Sequence, residues 1–269
     1  MARFDDSRVI VTGAGSGIGF AIARAFAAAG AAVALNDMDA ALAASAAHSI
    51  NAGLGREQVH PYGLDVAEPG AVAGMVEAFT AAHGPLNIMV ANAGITNYGA
   101  FLDYTPAAFD RLLGVNLRGS YFSAQAAAKN MIAHRQPGRI LLMSSVTGEQ
   151  VIRNLSAYGI TKAGIRMMAR CLALELGAYG ITVNAISPGA TLTERTLQDD
   201  PKFESNWAGV SPTGRLAYVA DIAAAALFLA APESSQITGQ TLQVDGGWTL
   251  YSPLPAEHPD QPEHSSQLR

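Results

Sequence analysis

A tyrosine and a lysine stand four positions apart in the segment Tyr158-Gly159-Ile160-Thr161-Lys162. Residues four apart on a helix lie on the same face, so the two side chains can act together. A phenol with an ordinary pKa of about 10 is a poor base at neutral pH, but a nearby ammonium group favours its charged form. The spacing therefore predicts an acid/base pair in which Tyr158 transfers a proton and Lys162 assists it.

Pairs with this spacing also arise by chance, so the neighbouring polar residues matter. Ser145, with Ser144 before it, follows an apolar run that is typical of a buried strand, and a hydroxyl there can hold a substrate oxygen beside Tyr158. Asn116 lies inside a long predicted helix, where an amide is an unusual choice without a function. These residues favour a catalytic interpretation of the pair.

A glycine-rich turn lies between the first predicted strand and the first predicted helix. Its residues are Thr12-Gly13-Ala14-Gly15-Ser16-Gly17-Ile18-Gly19. Such a turn lets the backbone approach a pyrophosphate, and the N-terminus of the following helix offers free N–H groups and the positive end of a dipole. The alternative is a plain tight turn without a ligand.

The second predicted strand ends at Asp37, 18 residues after Gly19. A carboxylate there can accept hydrogen bonds from both hydroxyls of an adenosine ribose, and it would repel a 2′-phosphate. The alternative is a helix cap, by Asp37 or by Asp39. Because Ser16 and Asn36 are neutral, we expect NAD rather than NADP. After the third predicted strand, the pair Asp65-Val66 is a candidate for the adenine contact.

Short apolar runs alternate with longer helical patterns along the whole chain. The predicted strands cover 8–12, 32–36, 59–64, 87–91, 139–143, 181–186 and 241–244, and the predicted helices cover 21–29, 40–50, 70–83, 106–134, 157–178 and 220–230. Near-continuous apolar strands indicate a parallel sheet covered on both faces. We therefore expect an α/β fold with a doubly wound, Rossmann-like, parallel seven-stranded sheet, whose loops meet at one edge. One domain would span 1–251, followed by a polar, Pro-rich tail at 252–269 that is mobile or lies on a neighbour.

Composition excludes several other classes of protein. The net charge of −5 argues against a nucleic-acid surface, and no apolar run is long enough to cross a bilayer. The single cysteine, Cys171, is expected to be a buried free thiol because its neighbours are apolar. The six histidines show no metal-ligand spacing, so no metal is expected. With no apolar leader visible, we expect a cytoplasmic protein.

Taken together, these motifs resemble the short-chain dehydrogenase/reductase family, in its short single-domain branch. The matching pieces are Thr12-Gly13-x-x-x-Gly17-Ile18-Gly19, Asn92-Ala93-Gly94, Asn116, Ser145, Tyr158-x-x-x-Lys162 and Pro188-Gly189-x-x-x-Thr193. They occur in the family's order between residues 8 and 247. The resemblance implies hydride transfer between NAD and a secondary alcohol or ketone. One small departure is Ala91, where the family usually has a second asparagine before Asn92.

The resemblance also assigns roles. It implies that Ser145 stabilises the substrate oxygen, Tyr158 is the general acid/base, Lys162 binds the nicotinamide ribose and lowers the pKa of Tyr158, and Asn116 holds a water in the proton path. The cofactor contacts that it implies or that the motifs suggest are Gly13, Ser16, Gly17, Ile18, Gly19, Asp37, Asp65, Val66, Asn92, Ala93, Gly94, Tyr158, Lys162, Pro188, Gly189, Thr191 and Thr193. Relatives form tetramers through the two long helices, so a homotetramer is expected.

The substrate pocket of this family comes from the segments after Ser145 and after Pro188-Gly189. The candidate substrate contacts are Ser145, Glu149, Gln150, Arg153, Asn154 and Trp207. This polar rim would suit a sugar or polyol, although a solvated loop is the alternative. The segment 190–214, without a clear strand, is interpreted as a mobile lid. Other hypotheses are a 3-oxoacyl-thioester or hydroxysteroid reductase, and a catalytically idle NAD-binding regulator.

Overall fold

The computed structural model describes residues 3–250, and strands and helices alternate through all of them. The strands are β1 (Arg8–Val11), β2 (Ala32–Asp37), β3 (Val59–Gly63), β4 (Ile88–Ala91), β5 (Gly138–Met143), β6 (Ile181–Pro188), β7 (Thr191–Leu192), β8 (Ala217–Tyr218) and β9 (Thr241–Val244). The helices are α1 (Gly17–Ala28), α2 (Ala40–Leu54), α3 (Ala71–His83), α4 (Pro106–Leu113), α5 (Ser120–Ala133), α6 (Ser156–Leu176), α7 (Glu194–Asp199), α8 (Phe203–Ala208) and α9 (Val219–Ala230).

Seven strands form one parallel sheet in the order β3-β2-β1-β4-β5-β6-β9. The strand order reverses between β1 and β4, and ligands of such sheets bind in the crevice beyond the carboxyl ends of the strands at that point. The remaining strands, β7 and β8, pair separately as a short parallel ribbon. The predicted doubly wound, seven-stranded α/β fold is confirmed.

Two layers of helices cover the sheet, which explains why its strands are apolar on both faces. On one face, α1, α2 and α9 contribute side chains such as Phe26, Ile50 and Leu229 to the core. On the other face, α3, α5 and α6 contribute side chains such as Phe79 and Met131. Burying each large apolar side chain contributes about 1.5–3 kcal/mol, so these layers hold the sheet edge in place.

The predicted helix over 106–134 is interrupted by a π turn at Gly114–Gly119, between α4 and α5. The turn contains Asn116, whose side chain leaves the helix to bond the loop after β4. Single π turns within α-helices are frequent at functional sites. The segment 190–214 also differs from expectation, since it contains β7, α7 and α8.

The expected burial of Cys171 is wrong, because this residue lies on the exposed face of α6. Its neighbours on that face, Met167 and Leu174, are themselves 56% and 86% exposed, so apolar residues here do not mark the core. Within residues 3–250, no helix has the length and hydropathy needed to cross a membrane. The tail predicted at 252–269 lies outside the described residues.

Candidate active site

Tyr158, Lys162 and Ser145 come together at the carboxyl edge of the sheet. Helix α6 begins at Ser156, so Tyr158 and Lys162 lie one turn apart near its start. The Lys162 ammonium nitrogen is 5.5 Å from the centre of the Tyr158 ring. Ser145 is the second residue after β5, and its hydroxyl hydrogen-bonds the Tyr158 phenol. The grouping predicted from sequence spacing is thus present in the fold.

Lys162 is held deep in the protein with only 3% of its surface exposed. Its Nζ donates to the Met143 carbonyl at 2.8 Å, and its own carbonyl accepts from the Ser144 hydroxyl at 2.8 Å. Burial lowers its pKa to about 8, since the charged ammonium is poorly solvated there. An ammonium has three donors, so two remain that can bind ribose hydroxyls.

Opposing effects act on the pKa of Tyr158. Burial raises its pKa, whereas hydrogen bonds from the Ser145 and Thr96 hydroxyls and the charge of Arg195 lower it, and the net shift is upward. In the cofactor-free protein the phenol is therefore protonated at neutral pH. Any positive charge that binds beside it favours the phenolate, which is what a general base requires.

Ser145 is oriented by its neighbour Thr147. The Thr147 hydroxyl donates to Ser145 Oγ at 2.9 Å, and the Thr147 backbone N–H approaches the same oxygen at 3.3 Å. Because Ser145 Oγ already accepts these bonds, its own proton is free to point to Tyr158 or to a substrate oxygen.

The amide of Asn116 is fully buried and fully bonded. Its Oδ1 accepts from Ile95 N at 2.8 Å, and its Nδ2 donates to Ile95 O at 3.0 Å and to Thr161 Oγ1 at 3.2 Å. The backbone carbonyl of Asn116 accepts from the Ser120 hydroxyl at 2.7 Å. This carbonyl oxygen has a second lone pair that could accept from a water. The expected role of Asn116 in holding a water stays a prediction.

The glycine loop has the geometry that a phosphate cradle requires. Gly13 and Gly17 have φ values of +60° and +57°, which favour glycine. A β-carbon on Gly13 would lie 2.6 Å from the Cα of Ala93, so only glycine fits against the end of β4. Ser16 precedes the first residue of α1 and makes no side-chain cap bond, which leaves the helix N-terminus open to an anion.

Asn92 holds this loop rather than standing apart from it. Its Nδ2 donates to the carbonyls of Thr12 at 3.0 Å and Gly13 at 2.8 Å. A β-carbon on Gly19 would overlap the Gly13 carbonyl, so α1 also starts in close contact with the loop. The remaining predicted loop contacts, Ile18 and Gly94, lie in the first turn of α1 and beside Lys162 Nζ respectively.

Asp37 ends β2 beside the glycine loop. Its Oδ2 accepts from Gly15 N at 3.1 Å, and its Oδ1 accepts from Asp39 N at 3.2 Å. The cap of α2 is Asp39, whose carboxylate accepts from the first backbone N–H groups of that helix. The capping function is therefore filled by Asp39, and the carboxylate of Asp37 is directed to the glycine loop through Gly15 N.

The residues predicted to contact the adenine, Asp65 and Val66, lie after β3. Asp65 Oδ1 accepts from Ala67 N at 2.8 Å in a local turn. Val66 is 8% exposed, and its side chain approaches Gly119, at the end of the π turn, so closely that a β-carbon there would lie 2.9 Å away. Val66 thus connects the loop after β3 to the π turn that carries Asn116, whereas Asp65 stabilises the loop itself.

The segment after β6 turns back over the glycine loop. Pro188 ends β6, and Gly189 follows it with its carbonyl accepting from the Thr191 hydroxyl at 3.0 Å. Thr193 caps α7 through a hydrogen bond from Thr196 N. A β-carbon on Gly17 would lie 3.6 Å from the Thr193 methyl carbon, so the start of α7 lies close to the glycine loop.

Several predicted substrate contacts are bonded within the protein. Glu149 Oε2 accepts from Arg166 and from Gln243. Gln150 Nε2 donates to the Thr249 carbonyl at 3.1 Å. These bonds fix the loop after β5 and leave Glu149 less available to a ligand.

Two more predicted contacts, Arg153 and Asn154, lie further along the same loop. Arg153 is exposed, and Asn154, at a φ of +66°, accepts from Gly99 N at 2.9 Å through its carbonyl. The loop after β5 is therefore joined to the loop after β4.

The sequence did not single out Thr96, Thr147, Arg195 or Trp248 as part of the site. Thr96 and Arg195 act on the Tyr158 phenol, Thr147 on Ser145, and the ring of Trp248 contacts that of Trp207 at 5.5 Å. Thr96 and Thr147 could have been found from their position in the sequence. They lie shortly after β4 and β5, at the edge where ligands of parallel sheets bind.

Known proteins resemble this chain over nearly its whole length. Residues 13–249 match the profile of a family described as enoyl-(acyl carrier protein) reductase. A short-chain dehydrogenase/reductase of Armillaria gallica is 40% identical over 247 residues, covering 88% of this chain and 94% of the relative. The galactitol 2-dehydrogenase (L-tagatose-forming) of Cereibacter sphaeroides is 38% identical over 254 residues, covering 93% and 97%.

A solved structure is similarly close. The gluconate 5-dehydrogenase of Burkholderia cenocepacia, crystallised with NADP and tartrate, superposes with a TM-score of 0.85 at 36% identity, covering 93% of this chain and 99% of that one. Fold, motif geometry and these similarities agree on an oxidoreductase that acts on CH–OH groups with a nicotinamide cofactor. The chain belongs to the short-chain dehydrogenase/reductase family.

Proposed function

We propose that this protein oxidises the secondary alcohol of a sugar or polyol with NAD, using Tyr158 as the general base. The observation that carries the proposal is the arrangement of Tyr158, Lys162 and Ser145 at the carboxyl edge of the sheet, which also carries a glycine loop shaped for phosphate. A proton acceptor, a cation and a hydroxyl donor at one point are what alcohol oxidation needs.

In this mechanism each residue handles the proton or the oxygen. Ser145, oriented by Thr147, donates to the substrate oxygen, and the Tyr158 phenolate takes the hydroxyl proton. Lys162 holds a positive charge near the phenol and binds ribose hydroxyls with its free donors. Asn116 fixes the backbone around Tyr158. When bound, the nicotinamide ring supplies the redox chemistry by accepting the hydride.

The proposed choice of NAD rests on Asp37. Its carboxylate is held toward the glycine loop by Gly15 N and Asp39 N, where it would accept bonds from ribose hydroxyls and repel a 2′-phosphate. The neighbouring positions Ser16 and Asn36 carry no charge to attract that phosphate. The gluconate 5-dehydrogenase structure contains NADP, so this preference depends on the residues of this chain.

The proposed substrate class rests on the polar loop after β5 and on the galactitol 2-dehydrogenase relative. Gln150, Arg153 and Asn154 follow Ser145 in the sequence and carry amide and guanidinium groups, and such groups suit hydroxyl-rich ligands. A 3-oxoacyl-thioester reductase is the main alternative, since the matching family profile carries an acyl-carrier description. An idle NAD-binding regulator would have no need of the intact set of Asn116, Ser145, Tyr158 and Lys162.

We also propose a homotetramer assembled through α5 and α6. Their outer faces expose Tyr121, Phe122, Met167 and Leu174, at 44%, 49%, 56% and 86%. Contiguous exposed apolar side chains of this kind mark protein contacts. Light scattering at micromolar protein concentration tests the assembly. The cytoplasmic location stays a prediction from the sequence.

A panel of alcohols tests the function. Sugars, polyols, hydroxysteroids and 3-hydroxyacyl esters are offered with NAD or NADP, and the reduced cofactor is followed by its absorbance. We expect the highest kcat/KM for a sugar or polyol with NAD. Preference for a hydroxyacyl ester would select the alternative substrate class, a higher kcat/KM with NADP would refute the role of Asp37, and binding of NADH without turnover of any alcohol would favour the regulator.

A further inference from the structure

The only two tryptophans of the chain, Trp207 and Trp248, contact each other. Their ring centres are 5.5 Å apart at an interplanar angle of 66°, which is an edge-to-face arrangement. Trp207 lies in α8 and also contacts Phe203, whereas Trp248 begins a short 3₁₀ turn at Trp248–Leu250. Both indoles are half-buried, so neither belongs to the cores on the two faces of the sheet.

Residues 245–250, which carry Trp248, are anchored next to the end of β6. The Asp245 carboxylate accepts from Gly247 N at 2.9 Å, from Thr249 N at 2.9 Å and from the Thr249 hydroxyl at 2.7 Å. Asp245 also packs on Gly189, where an added β-carbon would lie only 2.7 Å from it. Residues 245–250 therefore have a fixed place next to the turn that follows β6.

The same segment reaches the loop after β5. The Thr249 carbonyl accepts from Gln150 Nε2 at 3.1 Å, and Gln243, just before the segment, bonds Glu149. Residues 245–250 thus contact two segments that are distant in the sequence. They bond the loop after β5 through Gln150, and they contact α8 through Trp207.

Helix α8 has six residues, and helices this short are not stable by themselves. Its position depends on contacts with its surroundings, and the edge-to-face contact with Trp248 links it to an anchored segment. We propose that Trp248 is a positioning residue for substrate binding, which holds α8 over the substrate side of the reacting centre. This inference rests on the proposed function and on the sequence-based expectation that the loop after β5 and Trp207, in α8, contact the substrate.

A double-mutant cycle on the two tryptophans tests the inference. Trp207→Ala, Trp248→Ala and the double variant are compared with wild type on the best alcohol of the panel, measuring kcat and the KM values of alcohol and NAD. We expect Trp248→Ala to raise the KM of the alcohol about 3- to 10-fold, the range that a lost aromatic pair implies. The KM of NAD should stay within about 2-fold, because the glycine loop is not part of this contact. The double variant should resemble the single ones, since the two rings act as one unit.

Two further variants separate positioning from general destabilisation. Trp248→Phe keeps an aromatic ring and should restore most of the alcohol affinity, and it remains informative where Trp248→Ala does not fold. Tyr179→Ala removes a 54% exposed aromatic residue just before β6, at the opposite edge of the sheet, and should leave both KM values unchanged. Trp248→Phe also leaves Trp207 as the sole indole, so its fluorescence should change when alcohol is added to the complex with NADH.

The outcomes are distinguishable. An unchanged alcohol KM in a folded Trp248→Ala variant, additive effects in the cycle, or equal increases in both KM values would overturn the role of Trp248 while leaving the proposed function in place. A wild-type protein that oxidises no alcohol of the panel would refute the proposed function and this inference with it.

Discussion

The side-chain amide of Asn116 bonds the backbone of Ile95 through both of its polar atoms, at 2.8 and 3.0 Å. The next residue, Thr96, places its hydroxyl on the Tyr158 phenol. The same amide bonds Thr161, whose hydroxyl donates to the Tyr158 carbonyl at 2.8 Å. One buried asparagine therefore fixes Tyr158 from two sides.

Replacing Asn116 should consequently affect both stability and catalysis. We expect Asn116→Ala to lose about 1–3 kcal/mol of unfolding free energy, since Ile95 keeps unpaired groups, and about 10²-fold in kcat, since Tyr158 loses its orientation. The matched control is Asn130→Ala in α5, which breaks bonds to Leu86 N and Thr80 Oγ1 away from the site. Urea unfolding and steady-state kinetics should show a similar stability loss in the control with kcat near wild type. Equal kcat losses in both variants would contradict a specific role.

Removing the Tyr158 hydroxyl should stop proton transfer but spare cofactor binding. We expect Tyr158→Phe to lower kcat by about 10²–10⁴-fold, which is the usual contribution of a general base, while the Kd of NADH changes by less than about 2-fold. The exposed Tyr179→Phe serves as the control. Turnover near the wild-type rate in Tyr158→Phe would exclude this residue as the base.

Two aspartates near the start of α2 should separate cofactor choice from helix capping. Asp37→Ala should lower the ratio of kcat/KM for NAD to kcat/KM for NADP by about 10-fold or more, because the ribose hydroxyls lose the carboxylate that accepts their hydrogen bonds. Asp39→Ala removes the cap of α2 and should cost about 1 kcal/mol of stability without changing that ratio. If the two variants shifted the ratio equally, the assignment of Asp37 to the ribose would be wrong.

The lowered pKa of Lys162 predicts a pH dependence of stability with a defined sign. Between pH about 8 and 10.5 the native protein has released a proton that the unfolded chain still holds. The unfolding free energy of the cofactor-free protein should therefore rise with pH through this window, by at most about 3 kcal/mol. Urea unfolding at several pH values should show that the unfolding free energy of wild type increases relative to that of Lys162→Met as pH rises. A Lys129→Met control at the surface should show no such trend relative to wild type. A flat or falling difference between wild type and Lys162→Met would contradict the burial effect.

Much of the fold followed from local patterns, because strands buried on both faces must be apolar throughout. The spacing of Tyr158 and Lys162 and the position of Ser145 after β5 likewise predicted that these three side chains lie together, as they do in the fold. These inferences concern neighbours along one element or residues at the end of one strand. Local chemistry is enough for such cases.

Relationships between distant segments were not predictable in this way. The contact of Trp207 with Trp248, and the bond from Thr96 to Tyr158, depend on how three loops meet beyond the sheet edge. Cys171 was misplaced for a related reason, since the outer face of α6 also carries exposed apolar side chains, Met167 and Leu174. Hydrophobicity alone cannot tell a face that packs on the sheet from one that is exposed.

The π turn at Gly114–Gly119 makes the length of this helix segment critical. It holds one residue more than a regular helix would at the same place, and each residue of an α-helix turns the chain by about 100°. Deleting one residue there would allow a continuous helix but rotate α4 and α5 against each other by that angle. Asn116 would then leave Ile95, or α5 would turn its buried side chains away from the sheet. A substitution in this turn is thus tolerated where it keeps the bonds of Asn116, whereas a deletion is not tolerated because it changes the rotation between α4 and α5.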